Sequence, residues 1–128
     1  MATWTNDELT RIGDADELQI QSTRSDGTLR KPVTIWVVRA GNDLYVRSVG
    51  GRDGRWFHGT QNRHEGHIQA GGIDKDVTFE DAGSDLSDAI DNAYRAKYGN
   101  YPAPFVDPTV TPAAQAATLR LVPQEIHA

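Results

Sequence analysis

Three arginines lie within nine residues of one another, beside a pair of glycines, in an arrangement suited to binding an anion. They are Arg47, Arg52 and Arg55, and Gly50 and Gly51 separate the first from the other two. Guanidinium groups bind phosphate or carboxylate through paired hydrogen bonds, and glycines let backbone N–H groups approach an anion. Ser48 adds a hydroxyl donor. The spacing therefore predicts a site for a small anionic or phosphate-bearing ligand, with solvated or carboxylate-paired arginines as the open alternative.

An aromatic pair follows this loop directly. Trp56 is placed to stack on a ring system or to cap a pocket, and membership of the hydrophobic core is its alternative. Phe57 is expected to belong to the core. The loop and its first aromatic residue together form the candidate ligand-binding segment.

The remaining polar residues carry weaker signals. The spacing of His58, His64 and His67 matches no known pattern of metal ligands, so we predict no metal site and leave their role open. The other cations, at the ends of predicted hairpins, are expected to be solvated: Arg24, Arg30, Lys31 and Arg39. No buried acid–base pair and no nucleophile context is recognisable, so no catalytic residue is assigned.

Composition excludes several classes of function. The chain has 128 residues, a formal charge of −5 and no cysteine, so disulfides and cysteine–zinc sites are absent. An acidic chain repels phosphate backbones, which counts against nucleic-acid binding. Its longest apolar run, residues 35–38, is too short to span a bilayer, and the N-terminus has no signal-peptide pattern. We expect a single cytoplasmic domain over residues 1–128 without nucleic-acid or membrane partners.

Periodicity predicts an α+β, mainly β, domain. Six short antiparallel strands are expected, including one continuous central strand over residues 33–39 and a third strand over 44–49 that closes a hairpin with it. Two or three helices flank them, the first capped by Thr5 and Glu8 and the clearest covering residues 85–98. The four prolines of residues 100–112 predict an irregular arm, and residues 118–122 a last strand.

Several segments resemble one bacterial family. The runs PVTIWVVRAGNDLYVRSVGG, RWFHG, HIQAGG, AYRAKYG and TLRLVP are similar to those of the domain-of-unknown-function 2255 family, and the resemblance extends from Trp4 to Pro123. Family membership in itself implies no activity.

A more distant resemblance links the chain to the flavin- and deazaflavin-binding split barrels, which include pyridoxamine-phosphate-oxidase-like proteins and deazaflavin-dependent nitroreductases. It rests on TRSDGTLRKPVTIWVV, the following hairpin, YVRSVGG and RW. It implies a six-stranded antiparallel split β-barrel over about residues 17–99, usually dimeric, that binds FMN or a deazaflavin in a groove. Carried over by position, the cofactor-binding residues would be Arg47, Ser48, Gly50, Gly51, Arg52, Arg55 and Trp56.

Three functions remain open at this point. The first is a flavin- or deazaflavin-binding split barrel, in which an oxidoreductase reaction would rest on the cofactor. The second is a non-catalytic binding module for a small phosphorylated or anionic ligand. The third is a cofactor-free structural or interaction domain, in which the loop contributes to a homodimer contact.

Overall fold

The described part of the protein, residues 3–82 and 84–124 of a computed structural model, consists of one antiparallel sheet with flanking helices. Its strands are β1 (Leu18–Ser22), β2 (Val33–Ile35), β3 (Val38–Ala40), β4 (Asp43–Arg47), β5 (Glu65–Ala70), β6 (Ile73–Asp81) and β7 (Thr118–Pro123). Its α-helices are α1 (Asn6–Asp14), α2 (Arg55–Arg63), α3 (Ser87–Tyr98), α4 (Ala103–Val106) and α5 (Pro112–Ala116). The predicted mainly β class is confirmed. The predicted domain limits, residues 1 and 128, lie outside the described residues.

The sheet curls back on itself into a half-barrel. Its strand order is β2-β1-β5-β6-β7-β4-β3, so β2 and β3 form its two opposite edges. Only Trp36 and Val37 separate these two strands in the chain. Because consecutive Cα atoms are about 3.8 Å apart, the Cα atoms of Ile35 and Val38 can be no more than about 11 Å from each other. The two edges of a seven-stranded sheet can approach this closely only if the sheet is strongly curved.

The predicted continuous strand over residues 33–39 is wrong, and this error explains why seven strands are found instead of six. The strand is interrupted at Val37, whose backbone N–H and carbonyl form hydrogen bonds with side chains of α3. The Tyr98 hydroxyl accepts a hydrogen bond from the Val37 N–H at 3.2 Å, and Lys97 Nζ donates to the Val37 carbonyl at 2.6 Å. The two halves are edge strands with one neighbour each, not a central strand.

Strand β4 separates two hydrophobic cores. Leu44 and Val46 point into the core inside the curled sheet, which also contains buried side chains of α1, α2 and four other strands. Tyr45 points outward and packs with Tyr94 and Tyr98 of α3 in the second core. This alternation follows the period of two that the sequence predicts for residues 44–49, and it buries β4 on both faces.

The helices agree with the predictions in part. Thr5 and Glu8 form the predicted capping box of α1, and α3 lies where the periodicity predicts a helix. Helix α2 was not predicted, and α4 with a 3-10 turn at Asp107–Val110 replaces part of the predicted irregular arm. Within the described residues there are five α-helices, so the prediction of two or three was too low. No helix of the described ranges has the length and apolar character required to cross a membrane.

Candidate functional site

The glycine-rich loop after β4 is a compact turn. The Gly51 N–H donates to the Ser48 carbonyl at 3.0 Å, and a 3-10 turn over Gly51–Asp53 leads into α2. Gly51 has a φ of +71°, and a Cβ there would lie 3.3 Å from the Ala113 Cβ. The glycine therefore provides both the left-handed backbone and the close packing of the loop on α5.

Arg47 is turned into the protein. Its side chain is fully buried and forms an ion pair with Asp91 of α3. Its Nε donates to the Thr118 hydroxyl at 2.9 Å, and its Nη1 also donates to the Thr109 carbonyl at 2.9 Å. The guanidinium thus joins β4, β7, α3 and the segment after α4, and most of its hydrogen-bonding capacity is used within the protein.

Arg52 also bonds to the protein, but at the surface. It donates to the Ala116 carbonyl at 3.0 Å, lies 3.7 Å from Asp81, and stacks over the Phe57 ring with its Cζ 5.0 Å from the ring centroid. These contacts direct it toward α5 and β6.

Arg55 is the arginine of the loop that faces a cavity rich in positive charge. This cationic cavity has a volume of about 300 Å³. It is lined by Ile20, Ser22, Arg24, Arg30, Lys31, Val33, Arg55 and Trp56. Four cations and no carboxylate line it, although the whole chain has a charge of −5. Within the described ranges, none of these four cations forms an ion pair. Because these charges are all positive and line a concave site, they attract anions.

The chain between β1 and β2 brings two of these cations together. The Arg24 N–H donates to the Thr28 carbonyl at 2.7 Å, and the Arg30 N–H donates to the Ser22 carbonyl at 2.9 Å. This tight turn places Arg24 and Arg30 on neighbouring segments, beside the first turn of α2. The sequence signal that could have revealed them is their position on either side of the Ser25-Asp26-Gly27 turn.

Arg30 has an unusual environment. Its Nε is buried and has no hydrogen-bond partner among the described residues. A Cβ built on Gly59 of α2 would lie 3.0 Å from this Nε and 2.7 Å from the Ser22 Oγ. The glycine therefore allows α2 to approach β1 closely, with Ser22 and Arg30 between them.

A second cavity also borders Trp56, and four of its nine lining residues are aromatic. This aromatic cavity has a volume of about 270 Å³. It is lined by Thr34, Ile35, Trp36, Arg47, Val49, Trp56, Tyr94, Phe105 and Thr109. Val49 and Phe105 are 59% and 61% exposed, so apolar side chains also surround its mouth. The Tyr94 hydroxyl is fully buried, beside the backbone of Arg47.

The predicted site residues are thus distributed over different environments. Arg55 and Trp56 line the cationic cavity, and Arg47 and Trp56 line the aromatic cavity. Ser48, Gly50, Gly51 and Arg52 lie outside the linings of both. Sequence reasoning missed the cluster of Arg24, Arg30 and Lys31, and it missed Tyr94. Cofactor binding by the residues that the resemblance implies stays a prediction: Arg47, Ser48, Gly50, Gly51, Arg52, Arg55 and Trp56.

A third cavity, larger than these two, lies elsewhere in the protein. It has a volume of about 470 Å³ and lies between α1 and the end of β7. Its cation, Arg120, forms an ion pair with Glu80 and lies 3.8 Å from Asp43. Because this charge is already neutralised by carboxylates, the cavity is a weaker candidate for anion binding.

His58, His64 and His67 lie outside the linings of both cavities. His67 Nδ1 lies 2.8 Å from Asp76 Oδ1 across the β5–β6 pair, and its Nε2 contacts Asp74. Partial burial alone would lower the pKa of His67, but the two carboxylates outweigh it and the pKa is raised. His64 ends α2 with a φ of 55°. In the described ranges, no group of three or more histidine, aspartate or glutamate side chains is arranged to hold a metal ion.

Solved structures share this fold at low sequence identity. One described as an F420 reductase superposes with a TM-score of 0.61 at 14% identity, covering 91% of this chain and 92% of its own. A FAD-binding protein from Mesorhizobium loti superposes with a TM-score of 0.57 at 16% identity, covering 96% of this chain and 92% of its own. These likenesses establish the fold and leave the activity open.

Sequence comparison identifies the family. No curated protein matches the chain. Residues 8–121 match DUF2255, described as an uncharacterised protein conserved in bacteria, which covers most of the 128 residues. The resemblance seen in the sequence motifs is thereby confirmed, and the chain belongs to the DUF2255 family.

Proposed function

We propose that this protein binds a flavin or deazaflavin, with the cofactor phosphate in the cationic cavity and its ring system in the aromatic cavity. The observation that carries the proposal is the position of Trp56, which borders both cavities. A ligand with a phosphate at one end and a flat ring at the other matches two adjacent cavities of these opposite characters.

The residues present fit such a ligand. Arg30, Lys31 and Arg55 supply charge-assisted donors for a phosphate, and guanidinium groups bind phosphate in a bidentate manner. Arg24 adds positive charge, although its Nη1 already donates to the Leu29 carbonyl at 2.8 Å. Trp36 and Trp56 offer apolar faces to a ring.

The fold analogy supports the same cofactor class. Both solved structures described above are named for a flavin-type cofactor, FAD in one and F420 in the other. When bound, a cofactor of this class would supply hydride or electron transfer, and the protein would supply binding, orientation and a site partly shielded from water. The oxidoreductase activity that this implies is part of the proposal.

The geometry favours a different phosphate site from the one implied by the resemblance. Arg47 and Arg52 are bonded to groups of the protein itself, whereas Arg55 faces the cationic cavity without an ion pair in the described residues. We therefore place the phosphate with Arg55 and the residues between β1 and β2.

The test is binding of FMN, FAD and a reduced or oxidised deazaflavin to the purified protein, followed by fluorescence and by melting temperature. Arg55→Gln should raise the Kd for the bound cofactor about 10- to 100-fold, the effect of losing one charge-assisted contact. Arg95→Gln, which removes an exposed cation from α3 outside both cavity linings, is the matched control and should leave the Kd unchanged. No binding of any of these cofactors by the unmodified protein would refute the proposal.

The cationic cavity by itself favours a second candidate, a module that binds a phosphorylated ligand without a ring. Pyrophosphate should then bind as tightly as FMN, and Trp56→Ala should leave that binding unchanged. Under the cofactor proposal, FMN should bind more tightly than pyrophosphate, and Trp56→Ala should weaken only the binding of FMN, because the tryptophan face contacts the ring.

A further inference from the structure

Among the described residues, the two most exposed large apolar side chains lie at the same place, the mouth of the aromatic cavity. Phe105 of α4 is 61% exposed, Val49 after β4 is 59% exposed, and both line this cavity. A single apolar side chain on a surface is ordinary. Two that converge on one cavity, here called the apolar rim, form a place where an apolar ligand removes surface from water.

The backbone on both sides of Phe105 is fixed. The Phe105 N–H donates to the Pro102 carbonyl at 2.9 Å, and the next residue, Val106, is buried in the second core. The Thr109 hydroxyl donates to the Val106 carbonyl at 2.6 Å. The Thr109 carbonyl in turn accepts a hydrogen bond from Arg47 Nη1 at 2.9 Å. These contacts hold the exposed Phe105 ring at the cavity mouth, where a ligand can reach it.

The surface that this cavity offers to a ligand is mainly apolar. Trp36 and Trp56 line it together with the apolar rim. Its charged lining residue, Arg47, has a fully buried side chain that is paired with Asp91. A flat apolar ring loses its contact with water on such a surface, and aromatic side chains add stacked or edge-to-face contacts. The lining therefore favours a flat and largely apolar ring over a charged group.

We propose that Phe105 is a ligand-binding residue whose ring packs on the flat ring of a ligand at the mouth of the aromatic cavity and shields it from water. This inference deepens the proposed function and rests on it, because the ligand ring is that of the flavin or deazaflavin. It adds α4, which lies in the arm that was predicted to be irregular, to the elements that bind the cofactor.

A second copy of the chain matches the apolar rim less well. An aromatic side chain offers about 150–250 Å² of surface, so the two rim residues together expose on the order of 200 Å². A stable protein interface buries roughly 800 Å² on each partner. The rim also surrounds a concave site that shares Trp56 with the cationic cavity, as expected for a small ligand that carries both a ring and a phosphate.

Lumichrome, the three-ring system of flavins without ribityl chain or phosphate, tests this contact, and its Kd is measured by fluorescence titration. Phe105→Ala should raise the Kd about tenfold, because the ligand ring loses an aromatic contact. Phe105→Tyr keeps the flat ring and should retain the affinity of the unmodified protein. Because Phe105 is largely exposed, both variants should keep the ligand-free melting temperature within about 3 °C of the unmodified protein.

Leu86→Ala is the matched control. It removes an apolar side chain that is 46% exposed and lies outside the linings of both cavities, so it should change neither the Kd nor the melting temperature. Light scattering on the same samples reports the oligomeric state, which should be equal for Phe105→Ala and the unmodified protein.

Four results would overturn the inference. The first is equal lumichrome affinity of Phe105→Ala and the unmodified protein, and the second is no lumichrome binding by the unmodified protein. The third is a loss of affinity in Phe105→Tyr as large as in Phe105→Ala, or a fall of several degrees in the ligand-free melting temperature of Phe105→Ala, because either would indicate a structural role. The fourth is a lower molecular mass of Phe105→Ala, which would assign the apolar rim to a second copy of the chain.

Failure of this inference is distinguishable from failure of the proposed function. If the unmodified protein binds FMN and Phe105→Ala leaves lumichrome binding unchanged, the proposed function stands without a role for Phe105. Lumichrome binding that depends on Phe105, without binding of FMN, FAD or a deazaflavin, would support the role of Phe105 and refute the proposed cofactor.

Discussion

The Tyr98 hydroxyl accepts a hydrogen bond from the Val37 N–H at 3.2 Å and lies 2.9 Å from the Asp16 carbonyl, to which it donates. One side chain of α3 is thus hydrogen-bonded to two segments. The first connects the two edge strands of the sheet, and the second leads into β1. The Trp36 ring stacks on the Tyr98 ring with centroids 3.9 Å apart. This stacking contact holds the two edges of the curled sheet together. Trp36 also lines the aromatic cavity.

Removal of the Tyr98 hydroxyl should therefore destabilise the fold. In Tyr98→Phe the buried Val37 N–H loses its partner, which should lower the free energy of unfolding by about 1–3 kcal/mol. Urea denaturation measures this change, and Tyr101→Phe serves as the exposed control. A free energy of unfolding equal to that of the unmodified protein would show that Val37 finds another partner.

The buried ion pair between Arg47 and Asp91 should show strong coupling. Arg47→Met leaves the carboxylate of Asp91 buried without its cation, and removing one partner of a buried pair costs about 3–5 kcal/mol. Replacing both residues, as Arg47→Met with Asp91→Leu, should cost less than the single Arg47→Met change, because no uncompensated charge remains. Denaturation of the single and double variants gives the coupling energy. A double variant less stable than Arg47→Met would contradict the role of Arg47 as a partner of Asp91.

Gly59 should be required for the shape of the cationic cavity. The methyl group of Gly59→Ala would lie 2.7 Å from the Ser22 Oγ and 3.0 Å from the Arg30 Nε, so both side chains must move. We expect several-fold weaker binding of FMN or pyrophosphate, although alanine favours a helix over glycine by about 1 kcal/mol. Asn62→Ala, on the exposed side of the same helix, should leave binding unchanged. Equal affinities for both variants would exclude this part of the cavity from the binding site.

His67 should make stability depend on pH. Its pKa is raised in the folded protein, so its contribution is fully present below the unfolded pKa of about 6.5 and is lost as pH rises through the folded value. The free energy of unfolding should fall by less than about 1 kcal/mol over this range, because the site is partly exposed. His67→Asn should flatten this part of the profile in urea titrations between mildly acidic and mildly alkaline pH. A profile that keeps the slope of the unmodified protein would assign the dependence to another group.

Local patterns in the sequence determined the class of the fold and several of its elements. The Thr5–Glu8 spacing predicts the capping box of α1, and the alternation of Leu44, Tyr45 and Val46 predicts the two buried faces of β4. Such features depend on residues within a few positions of each other, so they can be read without the rest of the chain. The motif resemblance likewise predicts the DUF2255 family, which the match over residues 8–121 confirms.

Contacts between residues far apart in the sequence decided the structural features that local patterns could not predict. A β-branched run over residues 33–39 favours one strand, but Tyr98, 61 positions away from Val37, interrupts it. Arg47 and Arg55 have the same side chain and lie eight positions apart in the sequence. Only the tertiary structure turns Arg47 toward Asp91 and Arg55 toward Arg24, Arg30 and Lys31. The environment of a charged side chain depends on which segments pack around it, and that packing is set when the curled sheet and α3 come together.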